Sequence, residues 1–349
     1  QIADPHLVEK LSSGREAEIR PCVGATHCQS AYRPSCLHNP VTGRELTLMH
    51  VIEKTDGSAR DVVVIGGGPA GLEAARICAE RGHTVSLYEA SATLGGQIRI
   101  GATGSWRRDL MGIVDWRVAE LKRLGVPVQT NRYMEASEIN DLSPDVVILA
   151  TGGLPQIAIH EGVELCLSTW DVLSGHTLLS GEVLVYDGTG RHPGPLAAER
   201  AHEAGTQVTY VSIDAQLSEE LTYVERFRWK KRFLELGLQP IFDSRLVSVR
   251  RKSNRLQATF VNEISRKETS AIVDQVVIEQ GSIPVDDIFA GLRRQSANDG
   301  VTNLDALVGI RPQPQFREGG FELYRIGDAV SSRNIQAAML DAVRLCSAL

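Results

Sequence analysis

Three glycines in the first third of the chain have the spacing of a phosphate-binding turn. Gly66, Gly68 and Gly71 directly follow the apolar run 62–65 and have G-x-G-x-x-G spacing. In this pattern the first glycine makes a tight turn, the second lets the backbone approach a pyrophosphate, and the third lets the next helix pack on the strand. A helix that begins at such a turn points its first amide groups at the phosphates. The spacing therefore predicts a diphosphate site.

An acidic residue ends the next apolar run. Residues 85–88 are predicted to form a second strand, and Glu89 follows it. A carboxylate at this place in a βαβ unit accepts hydrogen bonds from the ribose of a dinucleotide. A glycine-rich turn without a ligand is the alternative. The order of strand, turn, helix and acid favours the dinucleotide site.

Three later motifs narrow the kind of dinucleotide. Residues 94–97 read LGGQ, 150–153 read ATGG and 327–329 read GDA. Together with GGGPAG, and in this order, they resemble the two-dinucleotide-binding flavoprotein reductases, in which the late aspartate hydrogen-bonds the flavin ribityl chain. The resemblance spans most of residues 61–349 and implies bound FAD, or ADP in its place. The cofactor contacts that it implies are Gly66, Gly68, Pro69, Ala70, Gly71, Glu89, Ala90, Gly96, Gln97, Ala150, Thr151, Gly152, Gly327 and Asp328.

The overall composition excludes several classes of function. The chain has 349 residues, of which 42% are hydrophobic and 23% charged, as is typical of a globular protein of two or three domains. Its net charge of −6 argues against a nucleic-acid partner. No apolar run is long enough to cross a bilayer, and no signal-peptide pattern opens the chain. We therefore expect a cytoplasmic protein without membrane contact.

Three of the six cysteines crowd into one short loop near the start of the chain. They are Cys22, Cys28 and Cys36, in a loop that also contains Pro21, Pro34 and Pro40. In a cytoplasmic protein such crowding predicts a metal site before it predicts disulfides. Iron–sulfur clusters usually take four thiolates, but Ala25 stands where a C-x-x-C-x-x-C run would have its middle cysteine.

The three thiols leave three interpretations open. The first is a 4Fe–4S cluster with a substituted fourth ligand, for which His27 and His38 are the nearest candidates, or a three-iron cluster. The second is a structural zinc site with three cysteines and one histidine. The third is a vestigial loop of free cysteines. Ligand preference favours the cluster.

The residues around these cysteines make the resemblance more specific. Residues 2–5, 14–15, 19–22 and 39–43 are similar to the segment that joins an Old Yellow Enzyme-type barrel to its flavoprotein half in trimethylamine dehydrogenase, 2,4-dienoyl-CoA reductase, N-methylproline demethylase and related NADH:flavin oxidoreductases. In that family the three cysteines would match three of four cluster ligands, and Ala25 departs from the pattern. The resemblance implies an FMN-carrying barrel, as a further domain or a separate subunit, together with a protein electron acceptor and an oligomeric assembly.

A second glycine-containing turn is predicted further along the chain. Gly188, Gly190 and Gly194 have the looser spacing G-x-G-x-x-x-G. Ser212 stands where an acid would hold the ribose of NAD, although Asp214 is close by. The resemblance implies an NAD(P)H-binding domain, although in trimethylamine dehydrogenase-like relatives the domain keeps its shape without serving a nicotinamide. The residues permit a nicotinamide site without requiring it, so a functional and a degenerate domain both stay open.

The predicted fold is α/β, with two Rossmann-like nucleotide-binding domains, the second inserted in the first, after a cysteine-rich linker. The strands 246–250, 256–261 and 272–278 are predicted to form an antiparallel addition to the second domain. The predicted boundaries are 1–58 for a barrel-end remnant with the cysteine loop, 59–156 plus 281–349 for the FAD/ADP-binding domain, and 157–280 for the NAD(P)-binding-like domain.

The sequence predicts an oxidoreductase. The first choice is the electron-transfer portion of a flavin and iron–sulfur enzyme, an amine dehydrogenase or N-demethylase of the trimethylamine dehydrogenase type. One alternative is an NAD(P)H-dependent enoate reductase module of the 2,4-dienoyl-CoA type, and another is a non-catalytic ADP- or FAD-binding scaffold for an electron-transfer partner. No catalytic residue can be named, because the redox chemistry belongs to the cofactors.

Overall fold

The computed structural model describes residues 2–29, 34–157, 161–317 and 319–349. The chain forms two compact units: the first comprises Gln1–Arg99, Asp109–Leu154 and Ile283–Leu349, and the second comprises Ile100–Arg108 and Pro155–Ser282. The second unit is thus inserted in the first, and the predicted fold class is confirmed. The sequence-based domain boundaries stay a prediction. They differ from this division at residues 100–108, where Trp106 packs on the core of the inserted unit.

The helices and strands are numbered in chain order. The helices are α1 (Leu7–Ser12), α2 (Pro69–Glu80), α3 (Gln97–Gly101), α4 (Gly112–Arg123), α5 (Ala136–Asp141), α6 (Thr169–Leu173), α7 (Pro193–Glu203), α8 (Tyr223–Glu235), α9 (Asp287–Leu292), α10 (Leu304–Val308) and α11 (Ile335–Cys346). The strands are β1 (Asp61–Ile65), β2 (Thr84–Tyr88), β3 (Val128–Gln129), β4 (Val146–Leu149), β5 (Gly153–Pro155), β6 (Leu167–Ser168), β7 (Glu182–Asp187), β8 (Gln207–Ser212), β9 (Ser244–Lys252), β10 (Arg255–Asn262), β11 (Glu268–Val273), β12 (Gln275–Glu279), β13 (Ser282–Pro284) and β14 (Glu322–Arg325). In the part of the chain that the structure describes, no helix has the length and apolarity to cross a membrane.

A five-stranded parallel sheet forms the centre of the first unit. Its spatial order is β14, β4, β1, β2, β3, and each neighbouring pair is parallel. All four residues of β4 are buried, as expected of a strand covered on both faces. Because β2 lies on one side of β1 and β4 on the other, the strand order reverses at β1. Ligands of open α/β sheets bind at such a switch point, outside the carboxyl ends of the strands.

A buried ion-pair cluster joins two helices of the first unit. Glu73 of α2 is only 1% exposed, and its carboxylate accepts from Arg76 at 2.8 Å and from Arg117 of α4 at 2.7 Å. Arg117 also donates to the carbonyl of His38, in the loop that contains the cysteines, at 3.1 Å. Burial alone would raise the pKa of Glu73, but the positive charges of Arg117 and Arg76 outweigh burial and hold it well below its usual range.

The inserted unit contains two sheets. A parallel sheet has the order β6, β12, β7, β8, and an antiparallel sheet has the order β11, β10, β9. The predicted strand 272–278 is wrong as a single element, because Asp274 separates β11 from β12 and only β11 joins the antiparallel sheet. The Asp274 side chain accepts the backbone amide of Glu182 at 2.8 Å, and this contact with the start of β7 fixes the break.

Replacing Glu73 tests the importance of the buried ion pairs. The substitution Glu73→Gln leaves the buried Arg117 without its carboxylate partner, and removing one partner of a buried pair costs about 3–5 kcal/mol. We expect a loss of this size in the free energy of unfolding of the first unit, measured by urea denaturation and circular dichroism. Glu80→Gln is the control, because Glu80 is a partly exposed partner of Arg76 and its loss should cost less than about 1 kcal/mol. Equal losses in the two variants would contradict the assignment.

Candidate nucleotide and metal sites

The predicted cofactor contacts gather at one edge of the sheet in the first unit. Gly66 follows β1, Glu89 follows β2 and Ala150 follows β4, while Gly327 comes soon after β14. Since these strands are parallel neighbours, their carboxyl ends lie side by side. Motifs far apart in sequence therefore come together at the switch point of the strand order.

The first glycine turn leaves no room for side chains at two positions. Gly66 has φ +109, and a Cβ there would lie 2.2 Å from the carbonyl oxygen of Ala150. A Cβ on Gly71 would lie 1.9 Å from the carbonyl oxygen of Gly66. Both distances are far below van der Waals contact, so these glycines allow α2 to begin directly against the sheet edge.

The middle glycine of the turn has a different environment. Gly68 is the N-cap of α2 and has no side-chain cap among the described residues. A Cβ built on it would have no heavy atom of the described chain within 4 Å. The first turn of α2, which begins with Pro69 and Ala70, therefore has open space in front of its amide groups. This geometry fits the diphosphate of FAD or ADP.

Glu89 lies beside this turn and is held by two backbone amides. Its Oε2 accepts the amide of Gly67 at 2.6 Å, and its Oε1 accepts the amide and the hydroxyl of Ser91 at 2.7 and 2.6 Å. The carboxylate is thereby fixed at the end of β2, with lone pairs left for ribose hydroxyls. Ala90 is exposed and has only a methyl side chain, so it could contact a ligand mainly through its backbone. The sequence analysis missed Ser91, although a hydroxyl two residues after an acid is a common turn signal.

The LGGQ and GDA motifs meet through a side-chain hydrogen bond. Gln97 donates to Oδ2 of Asp328 at 3.1 Å, across 231 residues of sequence. A Cβ on Gly327 would lie 3.0 Å from Cβ of Ala70, which puts the GDA turn against the first turn of α2. Gly96 is also close, since its Cβ would lie 3.3 Å from Cα of Gly68. The LGGQ and GDA motifs therefore lie beside the same glycine turn.

Two residues that the sequence analysis did not identify hold the GDA turn in place. Asp341 of α11 accepts the amide of Gly327 at 3.0 Å, and it forms an ion pair with Arg333. The amide of Arg333 in turn donates to Oδ1 of Asp328 at 3.2 Å. No sequence signal indicated this pair, because its partners meet only once α11 has packed.

The ATGG motif is used for internal contacts. The hydroxyl of Thr151 donates to the carbonyl of Val285 at 2.7 Å, and the amide of Val285 donates to the carbonyl of Gly152 at 3.1 Å. These bonds tie the end of β4 to the segment that returns from the insertion. The roles of Thr151 and Gly152 in cofactor binding stay a prediction.

The three cysteines of the predicted metal site do not form a metal-binding group in this structure. Among the described residues, no three His, Cys, Asp or Glu side chains lie close enough together to hold a metal ion. Cys22 is exposed, and Cys28 and Cys36 are partly buried. Residues 30–33, between Cys28 and Cys36, lie outside the described residues. As positioned, the three thiols do not form a preassembled metal site.

The surroundings of Cys36 act on its thiol in both directions, and their net effect raises its pKa. Burial raises the pKa of the Cys36 thiol, while the backbone amides of Asn39 and His38 donate to its sulfur and act in the opposite direction. The charges of Arg20 and Cys22 also act on this pKa, so both residues lie near Cys36. A metal that binds Cys36 must displace the proton of its thiol, so metal binding at this residue would depend on pH.

His38, one of the two candidate histidine ligands, has a defined tautomer. It is fully buried, and its Nδ1 lies 2.9 Å from the carbonyl oxygen of Pro21, which can only accept a hydrogen bond. Nδ1 therefore has the proton, and Nε2 has a free lone pair with no hydrogen-bond partner among the described residues. Burial and the charges of Arg117 and Arg20 lower the pKa of His38 and keep it neutral. A backbone carbonyl on one nitrogen is common in metal-binding histidines, but edge-on packing against Trp116 also explains the burial.

Comparison with known proteins gives the following matches. The family model described as FAD dependent oxidoreductase matches residues 61–125. The chain is 46% identical to a multifunctional alkene reductase/demethylase of Caballeronia cordobensis, covering 100% of the chain and 52% of the relative. It is 40% identical to a probable N-methylproline demethylase of Rhizobium meliloti, covering 99% and 52%. Among solved structures, the 6-hydroxypseudooxynicotine amine oxidase of Pseudomonas geniculata has a TM-score of 0.83 at 26% identity, covering 98% and 50%. The chain therefore spans about half the length of the curated relatives it matches.

Substituting the middle glycine of the first turn tests the nucleotide site. Gly68→Ala places a methyl group in open space, so the fold should tolerate it, but the methyl group would keep a diphosphate from the backbone. We expect the affinity for ADP to fall at least about tenfold, measured by isothermal titration of nucleotide-stripped protein. Gly101→Ala is the matched control, because a Cβ there also meets nothing within 4 Å. Unchanged ADP affinity in Gly68→Ala would show that the diphosphate lies elsewhere.

Iron analysis tests the metal site, which stays a prediction. We expect protein purified without oxygen to contain iron, and Cys28→Ala to lose iron and sulfide while retaining adenine nucleotide, because the cysteine loop and the glycine turn are different segments. Cys166→Ala is the control, since that free cysteine lies in the inserted unit. An iron-free wild-type protein, or equal iron loss in the two variants, would count against the three cysteines as ligands.

Proposed function

The chain belongs to the family of FAD-dependent oxidoreductases that includes N-methylproline demethylase, and from this premise we propose that it is the electron-transfer portion of an amine dehydrogenase or N-demethylase. The supporting observation is that the glycine turn, Glu89, the LGGQ motif and the GDA turn lie together at the switch point of one parallel sheet. The names of the matched relatives, which include demethylases, support the reaction class.

The residues at the sheet edge would hold the two halves of FAD. The first turn of α2 would face the diphosphate, and Glu89, fixed by Gly67 and Ser91, would accept from the adenosine ribose. Asp328 accepts from the ribityl chain, as the family resemblance implies, while Gln97 and the amide of Arg333 hold its carboxylate. FAD, when bound, supplies reversible one- and two-electron transfer. Protein side chains are needed here for binding and orientation.

Oxidation of the organic substrate is assigned to the part of the relatives that this chain does not span. The described residues at the sheet edge offer carboxylates and amides that bind a nucleotide, but no acid/base set beside a pocket for a carbon substrate is identified there. In our proposal an FMN-carrying barrel, as a domain or a subunit, oxidises the amine and passes electrons to this chain. A protein acceptor then takes them from the FAD-binding unit.

A second candidate function runs in the opposite direction. The relative at 46% identity is named both alkene reductase and demethylase, which favours an enoate reductase as the alternative. In that case electrons would pass from this chain to the barrel. The same residues would bind FAD in both directions, so binding alone does not separate the two functions. A non-catalytic scaffold that binds ADP or FAD is the third candidate function.

Mixing the FAD-loaded chain with a reduced barrel tests electron transfer. The N-terminal half of the Rhizobium relative is loaded with FMN and reduced by its amine substrate in the absence of oxygen. When this half is mixed with the FAD-loaded chain, we expect the FAD to be reduced, as measured by flavin absorbance. The chain alone should show no turnover with methylated amines or enoyl substrates. Turnover by the chain alone would show that the substrate site has been misplaced, and absence of FAD reduction by the barrel would contradict the proposed function.

A pair of variants separates FAD binding from ADP binding when the affinities for both nucleotides are measured for each variant. Asp328→Ala removes an acceptor for the ribityl chain, so FAD affinity should fall at least about tenfold while ADP affinity is unchanged. Asp305→Ala, an acidic residue in the first turn of α10, is the matched control. Equal loss of FAD and ADP would mean that Asp328 acts only on the fold of the turn, and a chain that retains only ADP would favour the scaffold.

A further inference from the structure

The glycine turn of the inserted unit already contains a carboxylate. Asp187 is the last residue of β7 and is fully buried. Its Oδ1 accepts the amides of Thr189 and Gly190 at 2.9 and 3.1 Å, and its Oδ2 accepts the hydroxyl of Tyr210 at 2.6 Å. In a dinucleotide site the amides of this turn are directed to the diphosphate. Here an internal anion takes that role.

The two glycine turns of the chain allow a direct comparison. In the first unit a Cβ on the middle glycine, Gly68, would meet nothing within 4 Å. In the inserted unit a Cβ on Gly190 would lie 2.3 Å from Oδ2 of Asp214, and one on Gly194 would lie 2.6 Å from Cγ of Asp187. The space that a diphosphate needs is open in the first turn and is filled by carboxylates in the second.

The strand end beside this turn adds a third acidic group. Glu279 ends β12, is 6% exposed and accepts the amide of Gly281 at 2.9 Å. Its side chain also accepts the hydroxyl of Thr169. Since β12 pairs with β7 and places Glu279 opposite Asp187, the two carboxyl groups lie at the same sheet edge. A diphosphate would bring further negative charge to this edge.

The acid–base properties of the three groups agree with this crowding. Burial raises the pKa of Glu279 to about 7, even though the hydrogen bonds from the Thr169 hydroxyl and the Gly281 amide act against it. Burial, followed by the charges of Asp187, Glu219 and Glu220, raises the pKa of Asp214 to about 6. The pKa of Asp187 is also raised by burial. Since burial is the main cause for all three groups, this sheet edge favours the uncharged form of an acid and disfavours an added diphosphate.

We propose that the inserted unit does not bind a nicotinamide dinucleotide, because Asp187 replaces the diphosphate in its glycine turn, Asp214 occupies the space beside Gly190, and Glu279 adds a third acidic group at the same sheet edge. The NAD(P)H that the family resemblance implies does not fit these residues. The unit then has the Rossmann fold without its usual ligand, and hydride from NAD(P)H does not enter the protein here. The proposal concerns the second unit alone. It leaves the amine-oxidising direction unchanged, whereas the enoate-reductase direction would need an electron donor other than NAD(P)H bound at this unit.

Calorimetric titration of the FAD-saturated chain with NADH and NADPH tests the proposal. FAD blocks the first turn, so any saturable heat reports on the inserted unit. We expect no saturable heat at nucleotide concentrations up to about 1 mM, so any affinity would be weaker than that. Retention of FAD and an unchanged circular dichroism spectrum show that the titrated protein is folded. Saturable NADH or NADPH binding in this sample would overturn the proposal.

Two variants test whether Asp187 is the cause. The double variant Asp187→Ala with Glu279→Gln frees the two turn amides and removes both charges, so we expect NADH binding to become measurable, with a gain of at least about tenfold. Asp187→Asn is the matched control, because its side-chain oxygen can still accept the same amides, and it should remain without binding. Equal binding by the double variant and Asp187→Asn would refute the role of Asp187. If the double variant does not fold, the wild-type titration decides the proposal by itself.

Discussion

The nucleotide site depends on a backbone contact that only glycine allows. Gly71 meets the carbonyl of Gly66, and Gly66 meets the carbonyl of Ala150, at distances where any Cβ would overlap the backbone. This contact lets α2 start at the sheet edge with its amides facing outwards. Further along the same helix, Glu73 binds Arg117 of α4, and Arg117 holds the carbonyl of His38. The position of α2 thus determines both the nucleotide turn and the packing of the cysteine-containing loop.

The two units show how one side chain separates fold from ligand binding. Ile65 ends β1 and is apolar, so the strand end places no carboxyl group in the turn that follows; the amide of Gly67 donates to Glu89, at the end of the neighbouring strand. Asp187 ends β7 and bonds to the amides of its own turn. Both turns follow a parallel strand and precede a helix. The Rossmann pattern therefore specifies the strand, turn and helix, whereas the residue at the strand end decides whether an anion can enter.

Local patterns explain what the sequence could predict. The apolar runs 62–65 and 85–88 lie within β1 and β2, and the glycine spacing indicated the turn between β1 and α2. The family resemblance alone indicated that Gln97 and Asp328 belong to one site, because the two residues are 231 positions apart in the sequence. Two features depend on tertiary packing and have no local sequence signal. One is the hydrogen bond from the Arg333 amide to Asp328, and the other is the break of a predicted strand at Asp274. The positions of the three cysteines relative to one another could not be predicted either. Their sequence spacing does not specify how the thiols are arranged in the absence of a bound metal.

A crystal structure of this chain grown with ADP tests the central claim, that one of the two turns binds the nucleotide and the other is closed by its own carboxylate. Our account predicts electron density for the diphosphate at the first turn of α2, between Gly66 and Gly71, with the ribose within hydrogen-bond distance of Glu89. It also predicts that Asp187 keeps the amides of Thr189 and Gly190. Nucleotide density in the second turn, or none at α2 in crystals with a saturating concentration of ADP, would contradict the account.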